Sequence, residues 1–111
     1  MRIDQRHVGT VTILDVHGNL LVGDDEELFR QTLRGLIESG RHELVLNLAQ
    51  VSRVDSTCIG LMVATHVSLG KRDGSLRLLH LQRRVREQLE IARLDEVFPF
   101  YDSEIDAIEG R

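Results

Sequence analysis

Asp55, Ser56, Thr57 and Cys58 stand in a row and offer a carboxylate, two hydroxyls and a thiol within one turn of chain. The residues around them decide which of these groups can act. Leu44 to Leu48 is a short apolar run broken only by Asn47, the pattern of a strand covered on both faces, while Ile59, Met62, Val63, His66 and Val67 recur at helical spacing. Ser56 therefore falls near a helix N-terminus, where free backbone N–H groups and the positive end of the helix dipole suit a phosphate. On residue pattern alone, Ser56 reads equally as a helix cap and as a phosphorylation site. Asp55 reads as a cap or a loop-fixing acceptor rather than a catalytic acid, and Thr57 as a first-turn residue or a secondary phosphosite.

The other reactive groups make no constellation. A thiol at a helix start can have a lowered pKa, yet no His–acid arrangement points to Cys58, which reads as a small, inert helix residue. His66 lies two helical turns further on, too far along the axis for a direct hydrogen bond to Cys58. His7, His17, His42 and His80 fall on or beside different predicted strands, so no metal site is expected. There is no Gly-x-x-x-x-Gly-Lys loop, no His-Glu-x-x-His and no nucleophile elbow. Neither an enzyme nor a cofactor is expected.

The 111 residues are 41% hydrophobic and 29% charged, which suits one globular domain over 1–111 with an aliphatic core, since there is no Trp, one Tyr and three Phe. A formal net charge of −4 and the lack of aromatic platforms argue against nucleic acid. The basic run Arg83, Arg84, Arg86 is followed by Glu87 and Glu90, and reads as a solvated helix face or a partner-facing patch. The single cysteine excludes an internal disulfide and fits a reducing compartment. Apolar runs are too short to span a bilayer, and the first residues lack the apolar core of a signal peptide, so a cytoplasmic location without membrane insertion is expected. The closing Ile108-Glu109-Gly110-Arg111 spells a common protease-recognition site and carries no weight in the fold argument.

The pattern predicts strands over Ile3–Val8 and Val11–His17, joined by a two-residue Gly9-Thr10 turn. A helix follows, with Gly23 to Glu26 supplying its cap and first-turn acids, Leu28, Phe29, Leu33, Leu36 and Ile37 its apolar face, and Gly40 its end. Then come a strand over Glu43–Leu48, a helix over Ser56–Lys71, an Asp73-Gly74 turn, a strand over Leu76–Leu81 and a helix carrying Val85, Leu89 and Ala92. A short extended segment over Val97–Tyr101, with Pro99 favouring an edge or loop, and a helix over Ser103–Ile108 close the chain. Two βαβ steps imply right-handed crossovers, hence an α/β fold whose mixed sheet begins with an antiparallel hairpin and continues in parallel, with helices packed on it.

In that order of elements the chain resembles the STAS domain, and within it the stand-alone bacterial anti-sigma factor antagonists. The resemblance is carried by Gly18, Leu44 to Leu48 with Val51 and Val54, Asp55-Ser56-Thr57 with Ile59-Gly60-Leu61, Gly74 with the Leu76 to Leu81 strand, and Leu94 with Val97-Phe98. It implies a partner-switching regulator: the unphosphorylated form binds an anti-sigma factor that is also a serine kinase, and phosphorylation of Ser56 releases it. A phosphatase would reset the switch, and a monomer or weak dimer is expected. It also implies partner binding by Gly18, Asn19, Leu20, Asp55, Ser56, Thr57, Cys58 and Gly60. The family usually has glycine where Cys58 stands and acids where Asn19 and Leu21 stand. Alternatives are a stressosome-type STAS scaffold, a STAS accessory subunit of a lipid transporter and, from another class, an acyl-carrier-like protein, because Asp-Ser before an apolar helix also suits phosphopantetheine attachment.

Overall fold

The computed structural model describes residues 1–110. Two antiparallel strands, β1 (Arg2–Val8) and β2 (Val11–His17), open the chain. Gly9 turns between them at φ 60°, a positive angle at the first central position of a two-residue hairpin, which glycine adopts without steric cost. There follow α1 (Asp24–Glu38), β3 (Glu43–Gln50), α2 (Ser56–Gly70), β4 (Ser75–Leu79), α3 (Arg83–Ile91), a 3-10 turn over Leu94–Glu96, β5 (Phe100–Tyr101) and α4 (Glu104–Glu109). The sheet order is β1-β2-β3-β4-β5, and every pairing after the hairpin is parallel. A third βαβ step, β4-α3-β5, thus joins the two expected from sequence. The sheet rules out the helical bundle of an acyl carrier.

Alternation along the strands sorts the apolar residues into two layers. Leu14, Val16, Leu44, Leu46, Leu48, Leu76 and Leu78 enter the main core with α1, α2 and α3, while Val11, Ile13, Val45 and Leu79 form a smaller one with Ala107 of α4. The central strand β3 is consequently apolar at successive positions, as its run broken only by Asn47 foretold. Asn47 faces the second layer and donates to Asp15 Oδ1 on β2 at 2.8 Å, so its amide is not left unpaired. Phe29, Leu33 and Leu36 anchor α1, each such burial contributing about 1.5–3 kcal/mol. Beyond the Ser39 C-cap, Gly40 takes φ 87° and Arg41 N–H closes onto Leu36 O at 2.9 Å, which ends the helix where the sequence placed its stop.

Three expectations shift. The buried face of α2 is Cys58, Met62, Thr65 and Leu69, about one residue out of phase with the stripe read from sequence; Val67 is exposed. The helix is apolar nearly all round, so periodicity alone could not settle its rotation. Strand β4 stops at Leu79: His80 still donates its N–H to Tyr101 O at 2.9 Å, but its φ of 56° turns the chain out of the extended conformation. The extended segment shrinks to Phe100–Tyr101, since Val97 closes the 3-10 turn by donating to Leu94 O. Pro99 precedes this edge strand and its carbonyl accepts from Leu78 N–H, a role that needs no N–H of its own.

Candidate partner-docking and modification site

At the C-terminal end of the parallel strands, the loops after β2 and β3 are sewn together. Leu20 forms an isolated parallel bridge with Val54: Leu20 N–H donates to Arg53 O and Asp55 N–H to Leu20 O, both at 3.0 Å. Asn19 Oδ1 adds three more bonds at 3.0 Å, accepting from Ser52 N–H, Ser52 Oγ–H and Arg53 N–H. The side chain that departs from the usual acid at position 19 is thus a pure acceptor here, a task a carboxylate oxygen also performs. Leu20 itself is fully buried and pins the loop from beneath. Gly18 sits between β2 and this bridge at φ 123°, a conformation that L side chains rarely adopt.

Asp55 caps α2 from extended backbone. One carboxylate oxygen accepts from Cys58 N–H at 3.0 Å and the other from Val22 N–H at 2.5 Å. Those backbone donors, Cys58 first and Val22 second, hold its pKa below the usual carboxylate range. Both sequence readings of Asp55, cap and loop-fixing acceptor, are realised by the two oxygens of one group. Ser56 is therefore not the cap. It is the first helical residue, exposed, and its hydroxyl has no hydrogen-bond partner among the described residues. Thr57 beside it is also exposed, as is Gly60 one turn on, where a Cβ would meet nothing within 4 Å.

Cys58 and Leu20 require correction as partner-binding side chains. Both are completely buried, Cys58 because the third helical position points into the core once Asp55 sets the phase of α2. Burial, reinforced by the charge of Asp55, pushes the Cys58 thiol up to about 12. Burial and the raised pKa both disfavour a nucleophilic thiolate, in line with the inert reading. Cys58 fills the interior beneath Ser56 and leaves the surface to Asp55, Ser56, Thr57 and Gly60.

The STAS domain family model matches residues 2–107. The chain belongs to the STAS domain family. An anti-sigma-B factor antagonist of Staphylococcus epidermidis is 34% identical over 82 residues, covering 74% of this chain and 75% of the relative. Its counterpart in Staphylococcus aureus is 33% identical over the same shares. Among solved structures, an anti-sigma factor antagonist from Mycobacterium paratuberculosis superposes with a TM-score of 0.86 at 21% identity, over 98% of this chain and 92% of the other. The Bacillus cell fate determinant SpoIIAA in its phosphorylated form gives 0.76 at 20% identity, over 97% of both chains. These likenesses identify the STAS fold.

Sequence reasoning missed the contribution of α3 to this end of the molecule. Leu21, Arg53, Asp55, Arg84, Gln88 and Ile91, together with Val54 and Glu87, line a surface groove of about 400 Å³ beside the Asp55-Ser56 corner. A signal was available in the basic run. Arg83 pairs with Glu87 and Arg86 with Glu90, each four residues on, whereas Arg84 has Gln88 at that position.

Proposed function

We propose that this STAS domain, spanning the whole 111-residue chain, is an anti-sigma factor antagonist: unmodified it binds an anti-sigma factor that is also a serine kinase, and phosphorylation of Ser56 releases it. The observation that carries the reading is the exposed Ser56 hydroxyl, unbonded and presented on the first turn of α2 while Asp55 does the capping. The staphylococcal relatives bear the name of that function. Phosphate adds about −1.5 to −2 charges at neutral pH. Next to ionised Asp55, and competing with it for the N–H groups of α2, that charge alters the docking surface without requiring a change of fold.

In this reading the protein is a cytoplasmic regulator, a monomer or weak dimer, and not an enzyme; the kinase acts on it and a phosphatase restores it. Thr57 is the secondary acceptor. Gly18 and Asn19 shape the loop, and Asp55, Ser56, Thr57 and Gly60 form the contact surface. The test is incubation with each anti-sigma kinase of the host and ATP, followed by mass spectrometry. One phosphate on Ser56 is expected, absent from Ser56→Ala and accompanied by weakened kinase binding. Modification at neither Ser56 nor Thr57 by any host kinase refutes the switch.

A further inference from the structure

The groove between α3 and the switch corner combines features that point to a partner of particular chemistry. Ile91, at the end of α3, is 85% exposed, the most exposed large hydrophobic side chain among the described residues, and Val22, whose N–H is bonded to Asp55, is 67% exposed. Gln88 donates to Val54 O at 2.7 Å, tying α3 to the loop that carries Asp55 and Ser56. The groove is thus built on the same support as the switch residue. Its acids are already engaged: Asp55 accepts two backbone N–H groups and Glu87 pairs with Arg83 at 2.9 Å. Arg53 and Arg84 have no ion-pair partner among the described residues, whereas Arg83 and Arg86 of the same basic run do. In a chain of net charge −4, this leaves an exposed apolar side chain beside two arginines without an ion-pair partner among the described residues, against which Asp55 is the groove's one acid outside an ion pair.

We propose that this groove receives an apolar side chain of the anti-sigma factor that is flanked by acidic residues. The proposal rests on the antagonist reading and extends the contact surface from the loop corner onto α3. Charge complementarity selects the occupant, since Arg53 and Arg84 attract carboxylates while Ile91 offers apolar surface to bury. It also supplies a reason for release. Phosphate on Ser56, the residue following groove-lining Asp55, opposes the arginines' field and repels an acid-flanked partner.

The test measures binding of Ile91→Asp and of the double variant Arg53→Glu, Arg84→Glu to each purified anti-sigma kinase of the host by titration calorimetry, with Ser56→Asp in parallel. All three altered side chains are exposed or at the rim, so circular dichroism and melting temperature should match the parent. Ile91→Asp is expected to weaken binding by about tenfold or more. The arginine double variant is expected to weaken it comparably at about 50 mM salt and less at about 500 mM, where screening removes the charge term. Parent-like affinity of both variants for a kinase that Ser56→Asp no longer binds overturns the groove while sparing the switch. Failure of the parent to bind any anti-sigma kinase of the host overturns the antagonist reading and the groove with it. A dimer in light scattering that Ile91→Asp abolishes, with kinase affinity unchanged, assigns the groove to a second copy and also overturns the proposal.

Discussion

Asp55 does two structural tasks and leaves the Ser56 hydroxyl exposed and unbonded. Its oxygens accept from Cys58 N–H in α2 and from Val22 N–H in the preceding loop, so one carboxylate fixes both the helix start and the loop beside it. Both acceptors survive in an amide only in part, because one carboxylate oxygen becomes an NH₂ donor. Asp55→Asn should therefore keep the helix cap and lose the Val22 bond, whereas Asp55→Ala loses both. The expected order of melting temperatures is parent, then Asn, then Ala, read by thermal denaturation near neutral pH. At this scale the sequence was legible in part. Asp-Ser-Thr before an apolar helix exposes a capping motif and the helix start, but the second bond to Asp55 comes from Val22 N–H, thirty-three positions away, and has no local signal.

Between elements, the tightest constraint in the parallel sheet is the turn from α2 into β4. A Cβ at Gly74 would lie 2.1 Å from His42 O, the same carbonyl that accepts from Ser75 N–H at 3.0 Å. Either the clash persists or the bond that starts the β3–β4 ladder is displaced. Gly74→Ala should destabilise the protein by about 1–3 kcal/mol, the usual range for overpacking, seen as a lower denaturation midpoint in urea with little change of slope. The Asp73-Gly74 turn was readable from sequence, but the reason for glycine was not, because His42 is more than thirty positions away. The same applies to Asn19, whose three bonds cross to Ser52 and Arg53. Strands and helices announced themselves by period, while the shift in α2 arose because a helix apolar on most sides has no unique stripe.

Over the whole molecule, a charged network holds α4 against the second face of the sheet. Arg6 on β1 donates to Asp15 on β2 and to Glu104 on α4, both at 2.6 Å, and Arg77 donates to the Ala107 and Ile108 carbonyls at 2.9 and 3.2 Å. Arg6 lowers the pKa of both Asp15 and Glu104 below their ordinary values. A carboxylate whose native pKa is depressed binds fewer protons than in the unfolded chain. Its stabilisation is complete above the unfolded value, about 4 for these groups, and is lost as pH falls through the lower native one. Melting temperature should therefore drop on acidification below about pH 4, and Arg6→Gln should lower the plateau near neutral pH and flatten the acid limb. The groups are partly exposed, so solvent screening keeps the effect modest.

By itself, the amino-acid order determined the α/β alternation, the antiparallel opening hairpin, the buried central strand and the helix start at Asp55-Ser56-Thr57. Each follows from local periodicity, turn chemistry or capping preference, which act over a few residues. Tertiary structure alone decided that Cys58 and Leu20 face the core, that Asn19 clasps the neighbouring loop, and that α4 closes the second face. It also brought Arg84 and Ile91 of α3 beside Asp55. Those outcomes join positions some thirty to a hundred residues apart, and the packing and hydrogen bonds between them exist only once the sheet has set the strands side by side.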